Sequence, residues 1–251
     1  MSRALPRANF SSPRLVRLLA NAAGAIAAAP AASAAPKQDF AARLGQWLRV
    51  ADAIRLHAVL DGSAAAVSVA PARRERSVAA DVDRVRTTLT DAIVTSCSPE
   101  PGAARIRFPA PPSGTPADIA ALYAPFQRFH LAHQREMEQR LGPLRLAARE
   151  ALASASPGLK QLADVDAIVD ATLSGREHNL LATVPALLEH RFNALLATHW
   201  QALTGDGTDD PVAWLLPGGW LARYREELKQ MLLAELDLRL QPIMGLVEAL
   251  N

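Results

Sequence analysis

His130, His133 and Glu136 recur at three-residue steps, and on a helix that spacing could string three metal-ligating side chains along one stripe. The two-turn spelling of a zinc hydrolase, with histidines four apart around a glutamate, is absent, so the pair reads better as satisfied core or surface histidines. The other histidines, 57, 178, 190 and 199, have no sequence-local partner from which a triad could be assembled. Cys97 is the one thiol; in "TSCSPEPG" it has no basic neighbour to favour a thiolate and no second cysteine for an internal disulfide. Asp164 with Asp166, and Glu226 with Glu227, fall on polar helical faces, where solvated charge is the economical reading. Asp209-Asp210 before Pro211 reads as a helix cap, and Gly218-Gly219 after Pro217 as a turn, since no Lys-Ser or Lys-Thr follows to hold a phosphate. No catalytic residue, metal ligand or cofactor-binding residue emerges.

The elements that would carry these residues are helical almost throughout. Asp39 opens "FAARLGQWLRVADAIRLHAVLDG", where Phe40, Leu44, Trp47, Leu48, Ala51, Ile54 and Val59 recur at three- and four-residue steps until Asp61-Gly62. The stretch "SAAAVSVAPARRERS" reads as a flexible loop with a charge cluster at Arg73, Arg74, Glu75 and Arg76. Ser77 then caps a helix with Val78, Val82, Val85, Leu89 and Ile93 on its apolar face. "SCSPEPGAARIRFPAPPSGT" holds five prolines without periodicity and reads as a linker over 96–115 between an N-terminal segment, 1–95, and a C-terminal one, 116–251. Beyond it, Thr115-Pro116 and Ser156-Pro157 each pair a cap with a proline start. Pro125 and Gly142-Pro143 are expected to kink or break the first long helix, and Pro185 the second; two long helices then form an antiparallel hairpin. A last helix runs from Trp220 through Tyr224, Leu228, Met231, Leu232 and Leu236. The expected fold is all-α, a helical bundle or long helical hairpin.

With 251 residues and 50% hydrophobic content the chain can bury a core. The net charge of +2 hides an asymmetry: residues 1–115 hold 15 basic and 8 acidic side chains, and 116–251 hold 12 and 17. A basic first half, with arginine as 24 of the 27 basic residues, leaves room for phosphate contact through Arg73, Arg74 and Arg76, although no helix-turn-helix, zinc finger or stacking set accompanies them. Arg3, Arg7, Arg14 and Arg17 before "LLANAAGAIAAAPAASAAP" imitate an export signal. The alanine-dominated apolar stretch and the Ser12-Pro13 cap favour a retained helix and a cytoplasmic protein, with export as the alternative. Membrane insertion is not expected.

The strings "RANFSSPRLVRLLA", "FAARLGQWLRVADAIRLHAVL", "LYAPFQRFHLAHQREMEQRLGPLRLAAREALASASPGLKQL", "LLATVPALLEHRFNALLATHW" and "WLLPGGWLARYREELKQMLLAELDLRLQPIMGLVEAL" resemble the proteobacterial family called domain of unknown function 3348. Its members resemble accessory proteins of Zorya-type antiphage defence loci, encoded beside flagellar-stator-like membrane proteins and a protein with an outer-membrane-protein-A-like peptidoglycan-binding domain. The resemblance implies a non-enzymatic cytoplasmic adaptor of a stator-like complex, and it carries over no catalytic motif. The expected mechanism is docking of a helical face, with Trp47, Tyr123, Phe126, Phe129, Trp200, Trp214 and Trp220 as candidate anchors, each of which is more economically a core aromatic. Partners would be operon-encoded defence proteins or a second copy of the chain. The alternative is a nucleic-acid-associating effector using the N-terminal arginines.

Overall fold

A computed structural model describes residues 14–15, 17–18, 50–61, 72–100, 102–111, 119–203 and 210–250. Among them six α-helices have defined bounds: α1 (Val50–Asp61), α2 (Ala72–Ser96), α3 (Ile119–Ala155), α4 (Pro157–Leu181), α5 (Val184–Ala202) and α6 (Trp220–Glu248). A single 3-10 turn (Ala213–Leu215) precedes α6, and the described residues contain no strand. The fold is all-α, as the periodicity predicts.

The core follows from two long apolar stripes. On α3, Tyr123, Phe126, Phe129, Met137, Leu141, Leu144, Ala148 and Leu152 are buried; on α6, Leu221, Tyr224, Leu228, Leu232, Leu236, Leu240 and Ile243 are buried. With buried His133 filling the gap between Phe129 and Met137, both sets keep to three- and four-residue steps, so each forms one seam along its helix. α2 lays Val82, Leu89 and Ile93 against that pair, and α5 adds Val184, Leu188, Phe192 and Leu196. Phe192 sits among Tyr123, Phe126, Trp220 and Tyr224, with ring centroids 5.6, 5.0, 5.2 and 5.2 Å away, the offset and edge-on spacing that aromatic quadrupoles favour. Leu15 is buried in the same core.

α3 and α4 form the hairpin. Ser156 turns the chain, its Oγ accepting from the Leu159 N–H at 3.2 Å while Pro157 occupies the first helical position, so the cap-plus-proline start is realised. The hairpin is clamped by Arg145 and Arg149 against Asp166 and Asp170, with N–O separations of 2.6 to 2.7 Å. Burial alone would raise the Asp166 carboxyl, but the bonds and charges of the two guanidinia outweigh it and hold it below the usual range.

Three expectations about the helices are corrected and one holds. Pro125 and Pro143 lie inside α3 without ending it; each costs an interior helix about 3 kcal/mol, and the apolar seam on either side of them offsets that cost. The break expected at Pro185 is present: one helix stops at Leu181 and the next starts at Val184 with Pro185 in its first turn, so the second long run is two helices, and α5 packs on α3 and α6 while α4 packs on α3 and α1. Ala72–Arg76 belongs to α2 and not to a loop, because alanine, arginine and glutamate are strong helix formers; Ser77 is therefore an interior position of α2 and not its start. Ile54, placed by its spacing on the core face of the first helix, is 64% exposed: α1 meets α4 through Val59 and Leu60, whose carbonyls accept from Gln161 Nε2 at 2.9 and 3.1 Å. The proline-rich stretch after α2 packs Ile106 and Phe108 against the core, and the Phe108 ring lies 5.3 and 5.5 Å from those of Phe126 and Phe129. No described helix is long and apolar enough to cross a membrane.

Candidate functional site

A cleft of about 520 Å³ lies between α2, the stretch 103–106 and α3. One α2 stripe, Thr88, Asp91, Ala92 and Thr95, forms a wall, and His133, Glu136 and Arg140 of α3 face the same space. Glu136 is held by two guanidinia: Arg140 Nε donates to its Oε1 at 2.6 Å, and Arg105 Nη2, from the stretch 103–106, donates to Oε2.

His133 lines this cleft with its ring 2% exposed, edge-on to Phe129. Its Nε2 is 2.9 Å from Ser96 Oγ, which is also 2.9 Å from the Ile93 carbonyl oxygen. The Ser96 hydroxyl thus stands between the His133 ring and the Ile93 carbonyl, which also accepts from the Cys97 N–H at 3.2 Å. Burial drives the His133 pKa down to about 4, His130 lowers it further and Glu136 pulls it up, so the ring is neutral at pH 7.

His130 goes elsewhere. It is fully buried with its Nε2 3.3 Å from Glu235 Oε2, close in distance but out of hydrogen-bond alignment. Glu235, also fully buried, accepts on Oε1 from Gln134 Nε2 at 2.8 Å and Arg239 Nη2 at 3.0 Å. Burial pushes its carboxyl up; His130, Arg239 and Gln134 together overcome that and hold it below its ordinary value. The three residues spaced for one ligand are thus divided between two environments. No group of three His, Cys, Asp or Glu side chains converges among the described residues.

The remaining sequence candidates separate in the same way. Asp166 serves the hairpin clamp, whereas Asp164 pairs with Lys160; Glu227 takes Arg191 and Arg223, whereas Glu226 takes Lys229. Cys97 is buried, and desolvation lifts its thiol to about 11 despite the Ser96 bond and nearby Lys229 and Arg225, which lower it; it is an inert thiol. Asp210 Oδ1 accepts from the Val212 N–H at 2.9 Å and starts the short turn there. Arg73, Arg74 and Arg76 fall in the first turns of α2 with their side chains outside the described part, and Trp47 lies outside the described residues.

Of the aromatic candidates, Tyr123, Phe126 and Phe129 are core residues and present no surface to a partner, and Trp200 packs half-buried against that core. Trp214 and Trp220 are different. Both are buried at 7% exposure, yet both line a second cavity of about 410 Å³ with Leu195, His199, Leu203 and Arg223. Val212 and Leu216, on either side of the 3-10 turn that carries Trp214, are 67% and 54% exposed. Gly219 closes this turn, and a Cβ there would lie 2.3 Å from the Trp214 carbonyl oxygen. The glycine pair is indeed a turn, and the second glycine is required by a close backbone approach.

The whole chain, residues 1–251, matches the family described as protein of unknown function (DUF3348). The chain belongs to that family. No curated protein and no solved structure matches it.

Sequence reasoning missed Glu235, although a signal existed: it occupies a core position of the α6 stripe, one step beyond Met231 and Leu232 and beside Leu236, so it is a charge where the period demands an apolar residue. Arg105 carried no signal, because nothing in a proline-rich stretch says which side chain turns inward. Val212 and Leu216 follow a proline and a tryptophan-bearing turn, where no helical period distinguishes exposed from buried.

Proposed function

We propose that this DUF3348 protein is a non-enzymatic cytoplasmic adaptor that docks onto operon-encoded proteins of a Zorya-type antiphage defence system, with a stator-like membrane complex as its partner. The observation that carries the docking reading is the exposure of Val212 and Leu216, the residues that flank the 3-10 turn whose Trp214 helps wall the second cavity. Two exposed apolar side chains on a turn held by buried Trp214 and Trp220 are a surface that a partner's apolar side chains could cover. The defence context is what the family resemblance implies. The non-enzymatic reading is supported by the division of the three residues spaced for one ligand, His130 lying against Glu235 while His133 and Glu136 face the cleft.

The test is an affinity purification from the native bacterium, after nuclease treatment, with the wild-type chain and a Val212→Asp/Leu216→Asp variant side by side. Both positions are solvent-facing, and far-UV circular dichroism checks that the variant is folded. The expected result is recovery of the stator-like membrane proteins by the wild-type chain and their loss with the variant. Recovery of the chain alone, or equal recovery by the two, overturns the reading.

A further inference from the structure

The first cleft holds a charge pattern that neither the docking surface nor the core accounts for. On one side Arg105 and Arg140 converge on Glu136, each through a single N–H group. A guanidinium carries five donors, so most of the hydrogen-bonding capacity of both is left over after Glu136 is bound. Two positive charges against one negative leave that side at net +1, and Glu136 holds the two forks side by side. On the α2 wall Asp91 has no cationic partner among the described residues; it stands between Thr88 and Thr95, three residues before it and four after it on the same helical face. Ala92, Ala103, Ala104 and Ile106 supply the apolar lining. His133 adds no charge at neutral pH. The volume, about 520 Å³, lies within the roughly 300 to 1,000 Å³ of small-molecule sites.

We infer that this cleft binds a small zwitterion, a molecule with a phosphate or carboxylate for Arg105 and Arg140 and an ammonium group for Asp91. A simple anion would satisfy the arginines and meet Asp91 as a like charge; a simple cation would meet the reverse. Only a ligand with both ends pairs each wall with its opposite. Arginine suits the anionic end because its planar fork matches phosphate and carboxylate geometry. The stretch 103–106, which carries Arg105, closes one side of the cleft, so occupancy would tie that stretch to α3 through the ligand as well as through Glu136.

Isothermal titration calorimetry on the full chain tests this with phosphoethanolamine and γ-aminobutyrate as zwitterions, and with inorganic phosphate and ethanolamine as single-charge controls. At least one zwitterion is expected to bind with a Kd of about 1 mM or tighter, and each control at least about tenfold more weakly. Asp91→Asn, an exposed substitution that leaves the core untouched, should bring the zwitterion down to the affinity of its anionic control. Arg140→Gln should weaken zwitterion and anion alike. A short-chain phosphatidylethanolamine kept below micelle formation separates the sources: preference for the free compounds assigns a soluble ligand, and preference for the diester a lipid headgroup. Failure of all the zwitterions at about 10 mM, equal affinity for phosphate and phosphoethanolamine, or indifference to Asp91→Asn overturns the inference. None of these outcomes bears on the Val212 and Leu216 surface, so the two proposals fail separately.

Discussion

Lowering the pH from 7 to 5 protonates a histidine in an unfolded chain and leaves His133 neutral in the fold. The sign follows from its depressed pKa, about 4 against the ordinary 6.5. Above 6.5 neither state binds the proton and the contribution to stability is complete; between 6.5 and 4 only the unfolded chain binds it, so stability falls as pH falls. With those two values the loss between pH 7 and pH 5 is about 2 kcal/mol. The groups that act on the ring are Ser96 from α2 and His130 and Glu136 from α3. The carboxylates of buried Glu235 and part-buried Asp166 and Glu227, all held below their ordinary values, contribute stability that is lost only at lower pH. The assay is urea unfolding followed by far-UV circular dichroism at pH 7, 6 and 5, on the wild-type chain and on His133→Gln. Glutamine can still donate to Ser96 Oγ and cannot titrate in this window. Any constant cost of the substitution cancels when the two pH dependences are subtracted, as do all other titrating groups. The wild-type curve should fall more steeply by about 2 kcal/mol over the interval. Parallel curves would refute the assignment of a buried, neutral His133.

Two further substitutions probe the packing on which the sites depend. Glu235→Leu removes the acceptor shared by Gln134 and Arg239 and leaves the nearly buried guanidinium only its longer contact to Glu138 at 3.4 Å; urea unfolding should show a loss of about 3 kcal/mol, and a loss below about 1 kcal/mol would mean that Glu235 is not the centre of that network. Gly219→Ala sets a Cβ 2.3 Å from the Trp214 carbonyl oxygen, an overpacking worth about 2 kcal/mol that should lower the thermal midpoint and shift the tryptophan emission as Trp214 moves. An unchanged midpoint and spectrum would show that the turn has slack.

Much of this architecture was legible because amphipathic periods are long-range signals. Tyr123, Phe126 and Phe129, or Leu228, Met231 and Leu232, fall on one face whatever their partners prove to be, and Ser156-Pro157 marks a helix start by local chemistry alone. Interior prolines misled for a definite reason. Their cost is local and readable, whereas the burial that offsets it along α3 is tertiary and is not. The same holds for Ile54: periodicity finds an apolar face, but only the arrival of α4 decides which part of it is covered.

The site was less legible because a three-residue step is not a full turn. Successive side chains at that spacing lag by about 60° on an α-helix, so His130, His133 and Glu136 sweep about 120° of the α3 surface. At one end of the sweep His130 faces α6 and the buried Glu235; in the middle His133 reaches Ser96 on α2 and edges into the cleft; at the other end Glu136 meets Arg105 and Arg140. A stripe read in one dimension as a shared ligand set is in three dimensions a passage from core to cleft. That rotation also explains how one helix does two jobs. The residues that lock α3 to α6 and those that line the cleft alternate along the same few turns, so α3 cannot shift its grip on α6 without moving Glu136, and with it the two guanidinia that a ligand would engage.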